Sequence, residues 1–248
     1  MEVTYGADPE FFLFRNGELI SGAEAFPTPI ETAYGFIFND GIVCEVNPLP
    51  ANNINSLMQN LFDLFSIVAA GGYDLVFEPV IETTKETLER AAEFDRSILT
   101  FGCSPDINVY EENQHSYRGD ASNIFYRFAG GHIHIGVEEK IENKLDLLKK
   151  IEARAGLLIN SFADSKAEKL RRNYYGRAGT CRVKSYGIEW RTPSAAILKE
   201  VNSQINFNNL LNILDLQIKG KIKPLDLKDE EVQQIINSGE VVEEAWVY

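Results

Sequence analysis

The stretch AGGHIHIG, residues 129 to 136, places two of the chain's three histidines, His132 and His134, two residues apart among apolar neighbours. Successive side chains of an extended strand point to opposite faces, so the two imidazoles share one face and Ile133 and Ile135 the other. Paired imidazoles can ligate a cation or serve a reacting group; two hydrogen-bonded imidazoles on a half-exposed strand are the plainer alternative. Asp8 and Glu10 in GADPEFF repeat the pattern with carboxylates. Neighbouring carboxylates entering an apolar strand repel each other and are costly to dehydrate alone, so they need a cation or an open edge. Glu45 between Cys44 and Val46 is a further candidate ligand, because a single acid is unusual in an otherwise apolar strand.

A second group is basic. RRNYYGRAGTCRVKSYGIEWR, residues 171 to 191, gathers Arg171, Arg172, Arg177, Arg182, Lys184 and Arg191 among glycines in a chain of formal charge −13. Arginine grips phosphoryl groups with a planar fork and lysine as a point charge; a solvated loop pairing with an acidic surface is the alternative. Strand alternation puts Glu189 and Arg191 on one face, Ile188 and Trp190 on the other. Asp106 and Asn108 lie in a Gly/Pro-bounded loop, where turn capping suits them. Hard cations that bridge phosphate oxygens prefer carboxylates, with histidine tolerated at mixed sites. Asp8, Glu10, Glu45, His132 and Glu189 supply such a set from four separate strands, and with the arginines they describe a nucleotide-dependent phosphoryl-transfer site.

With 37 acidic against 24 basic residues, binding to nucleic-acid phosphates or anionic lipid is disfavoured. Cys44, Cys103 and Cys181 are sparse and odd in number, which fits free thiols in a reducing compartment. The N-terminus has no basic leader or cleavable apolar segment, and no apolar run approaches ~18 residues, so a cytoplasmic protein is expected.

The elements that must position these residues are readable in outline. ADPEFFLF reads as a strand turning at Asn16-Gly17, and YGFIFNDGIVCEVNP as a hairpin about Asn39-Asp40-Gly41. Apolar residues from Asn53 to about Ala70 recur at helical spacing behind an asparagine cap and stop at Gly71-Gly72. Further helices are predicted over 84–94, 138–164, about 194–218 and 228–238, with strands at 125–137 and in SYGIEWRTP. Residues 165–183 read as a polar, basic stretch, and 21–35 and 110–123 as loops able to shape a substrate pocket. Strands in adjacent runs separated by long helices predict one α+β domain over 1–248: a curved antiparallel sheet with helices on its outer face and the site on its concave face.

Three segments carry a family resemblance. GADPEFFLF resembles the acid-Pro-Glu-Phe-Phe-Leu-Phe strand of glutamine synthetase, GGHIHIG its Gly-x-His-x-His segment, and RAGTCRVKSYGIEWRTPSAA its Arg-x4-Arg, Lys, Ile-Glu-x-Arg run, in the same order. More closely, RFAGGHIHIG with YGIEWRTPS and GADPE resembles the carboxylate-amine ligases of glutamine-synthetase-like fold, phage-encoded ones included; the motifs span residues 6 to about 196. The resemblance implies a half-barrel sheet and an amidoligase: ATP phosphorylates a carboxylate of a small molecule or peptide, and an amine displaces the phosphate. It implies Mg2+ or Mn2+ on Asp8, Glu10, Glu45, His132 and Glu189, with Asp40 or Asn47 near Glu45. It also implies that His134 faces the transferred group, that Arg177, Arg182 and Arg191 clamp phosphate, and that Lys184 occupies a nearby basic position. A guanidino-kinase-like phosphotransferase, a metal-dependent hydrolase and a non-catalytic protein on the same fold are the competing readings, and ATP consumption separates them.

Overall fold

A computed structural model describes residues 2–101, 106–111, 119–200 and 206–246, together with the backbone of 114–115. The strands are β1 (Thr4–Arg15), β2 (Glu18–Ile20), β3 (Ile30–Thr32), β4 (Gly35–Asp40), β5 (Val43–Pro48), β6 (Asp74–Val76), β7 (Val80–Glu82), β8 (Thr100–Phe101), β9 (Asp106–Asn108), β10 (Gln114–His115), β11 (Gly119–Asp120), β12 (Tyr126–Phe128), β13 (Gly131–Gly136), β14 (Thr180–Lys184) and β15 (Gly187–Trp190). Nine of them form one path, β10-β9-β14-β15-β13-β1-β5-β4-β3, and β2 and β6 also pair with β1. Neighbours on the path are antiparallel. The α-helices among the described residues are α1 (Gly22–Ala25), α2 (Ile54–Ala70), α3 (Lys85–Phe94), α4 (Ile141–Ile151), α5 (Ser165–Arg172), α6 (Phe207–Ile218) and α7 (Asp229–Ser238). The α+β expectation therefore holds, with a large antiparallel sheet at the centre.

Period-2 alternation decides what each sheet face carries. Phe11 and Leu13 of β1, Cys44 and Val46 of β5, Ile133 and Ile135 of β13 and Ile188 and Trp190 of β15 are buried in the main core. Leu57, Leu61, Leu64 and Val68 of α2 and Leu210, Leu211 and Leu214 of α6 join the same core. Each apolar side chain so buried contributes roughly 1.5–3 kcal/mol, and the alternate residues are left to the other face. That face is not bare: Phe12 and Val43 continue it past Glu10, and Leu88 and Ala91 of α3 cover them. Helices thus lie on both faces, where a single outer layer was expected, because an apolar patch beside the carboxylates needs its own cover.

Local signals explain the elements that were anticipated. Asn53 caps α2 by accepting from Ser56 N at 2.9 Å. The turn after β1 has φ 54° at Asn16 and φ 80° at Gly17, the left-handed pair a tight hairpin requires. Other boundaries shift. The segment 125–137 is two strands, and 138–164 is α4 followed by one π turn, Glu152–Gly156, and a 3-10 turn, Ile159–Phe162. The basic stretch 165–183 contains α5, capped by Asp164. The helix expected over 194–218 is a 3-10 turn, Ala195–Leu198, and α6, with 201–205 outside the described residues. Asp106 and Asn108 are not in a loop: β9 seats them in the main sheet beside β14. Cys103 and, within 110–123, residues 112–113 and 116–118 fall outside the described residues. No helix among the described residues is long and apolar enough to cross a membrane.

Candidate active site

Strand register assembles the site from residues far apart in sequence. Asp8 of β1 lies opposite His132 of β13, and Gly6 opposite His134. His134 in turn lies opposite Glu189 of β15, which lies opposite Arg182 of β14. On the other flank of β1, Glu10 is paired directly with Glu45 of β5. All these side chains project to the face that the main helices leave free.

Two groups of potential ligands result. Asp8, His134 and Glu189 each offer an atom within 4.8 Å of the others, and so do Glu10, Asp40 and Glu45. In the first group His134 Nε2 stands 3.0 Å from Asp8 Oδ1, yet neither buried atom makes a hydrogen bond. The two atoms form an ion pair that leaves further bonding capacity at both. His132 Nδ1 is 3.3 Å from the same oxygen and 3.2 Å from Arg191 Nη1. The structure thus brings both imidazoles to Asp8 and groups His134 with Asp8 and Glu189. Nδ1 of His134 pairs with the Tyr186 hydroxyl, and the two rings stack.

The second group is electrostatically unfavourable alone. Burial raises the Glu45 carboxyl, the charges of Glu10, Asp8 and Asp40 add to it, and its pKa is pushed up to about 10. Asp40, at the turn but with its carboxylate in the cavity wall, is raised to about 6 by desolvation and by Glu10. Glu10 Oε2 accepts from Gly130 N at 2.6 Å, which fixes one oxygen and leaves the other to the group. An all-carboxylate trio of this kind suits a hard divalent cation, and a mixed histidine-carboxylate trio suits manganese or a similar ion.

The cations stand at the other flank. Arg182 Nε contacts Asp106 Oδ1 at 2.9 Å and Lys184 Nζ contacts Glu189 Oε2 at 2.7 Å. Arg191 reaches Asp106 Oδ1 through Nε at 3.3 Å and Glu189 through Nη1. Burial works to raise Glu189, but the Lys184 hydrogen bond and the Arg191 charge outweigh it and hold the carboxyl below its ordinary range. Asp8 is held low in the same way, burial being outweighed by His132 and His134. Of the four residues expected to clamp phosphate, Arg182, Lys184 and Arg191 are together; Arg177 is exposed, and its carbonyl accepts from Thr180 and Thr192.

A cavity of about 470 Å³ opens between these flanks, with Glu10, Asp40, Asp106, His132, Arg171 and Arg191 in its wall. Sequence reasoning missed three of the contributors. Asp106 ties two arginines, and only its pairing with β14 reveals that. Tyr186 is a lone aromatic in the β14–β15 turn that no spacing rule singles out. Glu152, buried in the π turn behind the sheet, accepts from Trp190 Nε1 at 2.9 Å, Thr192 Oγ1 at 2.6 Å and Gly179 N at 2.7 Å, fastening the strand end that carries Glu189 and Arg191. An acid within an amphipathic stripe is the only trace of it in the sequence.

No curated protein and no solved structure matches the chain. The sequence model of the family described as phage phiEco32-like COOH.NH2 ligase-type 2 matches residues 110–240, just over half the chain. His132, His134, Lys184 and Glu189 lie inside that match on β13, β14 and β15, and so does Arg191, which directly follows β15. The chain therefore belongs to the phage phiEco32-like COOH.NH2 ligase-type 2 family.

Proposed function

We propose that the protein is an ATP- and divalent-cation-dependent ligase that joins a carboxylate to an amine through an acyl phosphate, on a glutamine-synthetase-like half-barrel. Family membership supports the ligase class. The observation that carries the rest is the buried Asp8–His134 ion pair beside Glu189, whose ligand atoms converge, next to the carboxylate trio of Glu10, Asp40 and Glu45. Such sets are stabilised by bound cations, so the residues fit Mg2+ or Mn2+. Asp8 and Glu189 with an imidazole of the His132–His134 pair would hold one ion, and Glu10 and Glu45 with Asp40 another.

Bound there, the cations would supply charge neutralisation of the nucleotide's phosphates. The chain's own residues do the remainder. Arg191, Arg182 and Lys184 carry three positive charges against the two of Asp106 and Glu189, which leaves positive charge for a phosphoryl group. Arg177, assigned to the same clamp by its motif position, would reach it only from a different side-chain orientation. An oxygen of the acid substrate attacks the γ-phosphorus and the bond to the β,γ-bridging oxygen breaks, releasing ADP. The amine then attacks the acyl carbon, loses a proton, and phosphate leaves with the electrons of the C–O bond. The substrates are small-molecule or peptide carboxylates and amines.

A phosphate-release screen of acid and amine pairs with ATP and either Mg2+ or Mn2+, with mass detection of the amide, tests this reading. Amide, ADP and phosphate should appear in equal amounts. ADP without amide would point to a phosphotransferase or hydrolase, and no ATP consumption with any pair would end the proposal.

A further inference from the structure

His132 and His134 share one face of β13, yet the Nδ1 atoms of the two rings meet different kinds of partner. Arg191 Nη1 stands 3.2 Å from His132 Nδ1, and a guanidinium can only donate, so that contact occupies the nitrogen's lone pair. His134 Nδ1 instead meets the Tyr186 hydroxyl, a group that can donate or accept. The His134 and Tyr186 rings stack with centroids 5.9 Å apart and planes 20° from parallel. Tyr186 is 46 % exposed, so core packing does not call for an aromatic residue there.

The backbone fixes the tyrosine over the histidine. Tyr186 sits in the turn between β14 and β15, and its carbonyl accepts from Val137 N at 2.9 Å, just past the end of β13. The next residue, Gly187, lies opposite Gly136 of β13. A Cβ built on Gly187 would fall 1.9 Å from Ile135 O. Glycine therefore lets the turn close onto β13 and carries the Tyr186 ring to His134.

An imidazole nitrogen binds a cation only through a lone pair. For His134 Nε2, 3.0 Å from Asp8 Oδ1, this means that the neutral ring keeps its one proton on Nδ1. That N–H then needs an acceptor, and the Tyr186 oxygen stands at it. His132 has no such option at its contact with Arg191, because arginine offers no acceptor. With no cation present, His134 Nε2–H can face Asp8 while the Tyr186 hydroxyl donates to Nδ1. One hydroxyl serves both tautomers, and a phenylalanine would serve neither.

We propose that Tyr186 is a positioning residue of the cation site: its oxygen accepts from His134 Nδ1–H and so holds the Nε2 lone pair towards a cation shared with Asp8 and Glu189. The inference rests on the cation reading of that trio.

The test is calorimetric titration of manganese into the parent, Tyr186→Phe, His134→Ala and the double variant. Phenylalanine keeps the stacked ring and lacks only the oxygen, so Tyr186→Phe should weaken manganese binding about tenfold or more, the scale of losing the partner of a ligating histidine. In the His134→Ala background the same substitution should change affinity by less than about twofold, because the oxygen acts through the imidazole. Nitrogen NMR of the protein labelled at its three histidines should place the His134 proton on Nδ1 in the magnesium-saturated parent and shift it towards Nε2 in Tyr186→Phe. Parent-like manganese affinity in Tyr186→Phe overturns the proposal, since stacking alone would then suffice. An equal loss in both backgrounds overturns it too, because the oxygen would act elsewhere, and so does a magnesium-saturated parent with the proton on Nε2. A parent that binds no manganese overturns the proposal and the cation reading together. A parent that shows the expected cycle but makes no amide from any acid and amine refutes the ligase chemistry and leaves the role of Tyr186 standing.

Discussion

Two imidazoles on one strand face need not share one duty. His134 Nε2 is buried and ion-paired with Asp8 in a group with Glu189, whereas His132 Nδ1 meets Arg191. His134→Ala should therefore weaken manganese binding by about tenfold or more, and His132→Ala should act mainly through a displaced Arg191, lowering turnover with a smaller change in metal affinity. Manganese titration of both variants decides the matter; the reverse result would restore the assignment drawn from motif position, with His132 as the ligand. Arg191 bridges Asp106, Glu189 and His132 through two nitrogens, a geometry an ammonium cannot copy. Arg191→Lys should accordingly cost turnover roughly as much as Arg191→Ala, on the order of 10²-fold, and steady-state kinetics with a working substrate pair would reveal a lysine that suffices. Most of these residues were legible because a strand's period of two is strict: Asp8 with Glu10, His132 with His134, and Glu189 with Arg191 follow from alternation alone. Asp106 and Tyr186 were not, because their partners lie on other strands and no local pattern names them.

Among the elements, the π turn Glu152–Gly156 has the largest leverage. Glu152 is fully buried, and burial raises its pKa, yet three donors from the Gly179 and Trp190–Thr192 segments converge on it. Glu152→Ala would orphan those donors and should destabilise the protein by roughly 2–4 kcal/mol. Glu152→Gln, which still accepts, should cost less. Urea unfolding of both variants tests the order, and equal losses would mean that volume rather than hydrogen bonding sets the cost. The same comparison shows why some elements could be read from sequence. Apolar residues at helical spacing behind Asn53, and the Asn-Gly turn after β1, carry their own signals. Helix α5 has the Asp164 cap but no apolar stripe: SKAEKLRR is almost entirely polar, and it is held by a buried Glu168–Arg172 pair and by contacts of Arg171 and Glu168 with Thr192, Pro193 and Ser194. Strand β9 is three residues long and exists through its ladder with β14.

Taken whole, the molecule couples its stability to pH through the raised carboxyls of Asp40 and Glu45. Glu45 titrates near 10 in the folded chain against an ordinary 4.5, so between those values the native state binds more protons than the unfolded one and its stability falls as pH rises. In chelator, the Tm of the parent should drop from pH 5 to pH 9 more steeply than that of Glu45→Gln, and added manganese should raise Tm more at the alkaline end, because it binds the deprotonated set. Scanning fluorimetry across that range would show parallel slopes for parent and variant if the repulsion is absent. Register adds a consequence in time. Asp8 meets His132, and His134 meets Glu189, only after β13 and β15 have docked beside β1. Long-separation pairings of this kind form late, since loop closure must be paid before contacts repay it. A growing chain consequently keeps Asp8, His134 and Glu189 apart until β13 and β15 have docked, and the capacity of that trio to capture a cation arrives with the finished fold rather than before it.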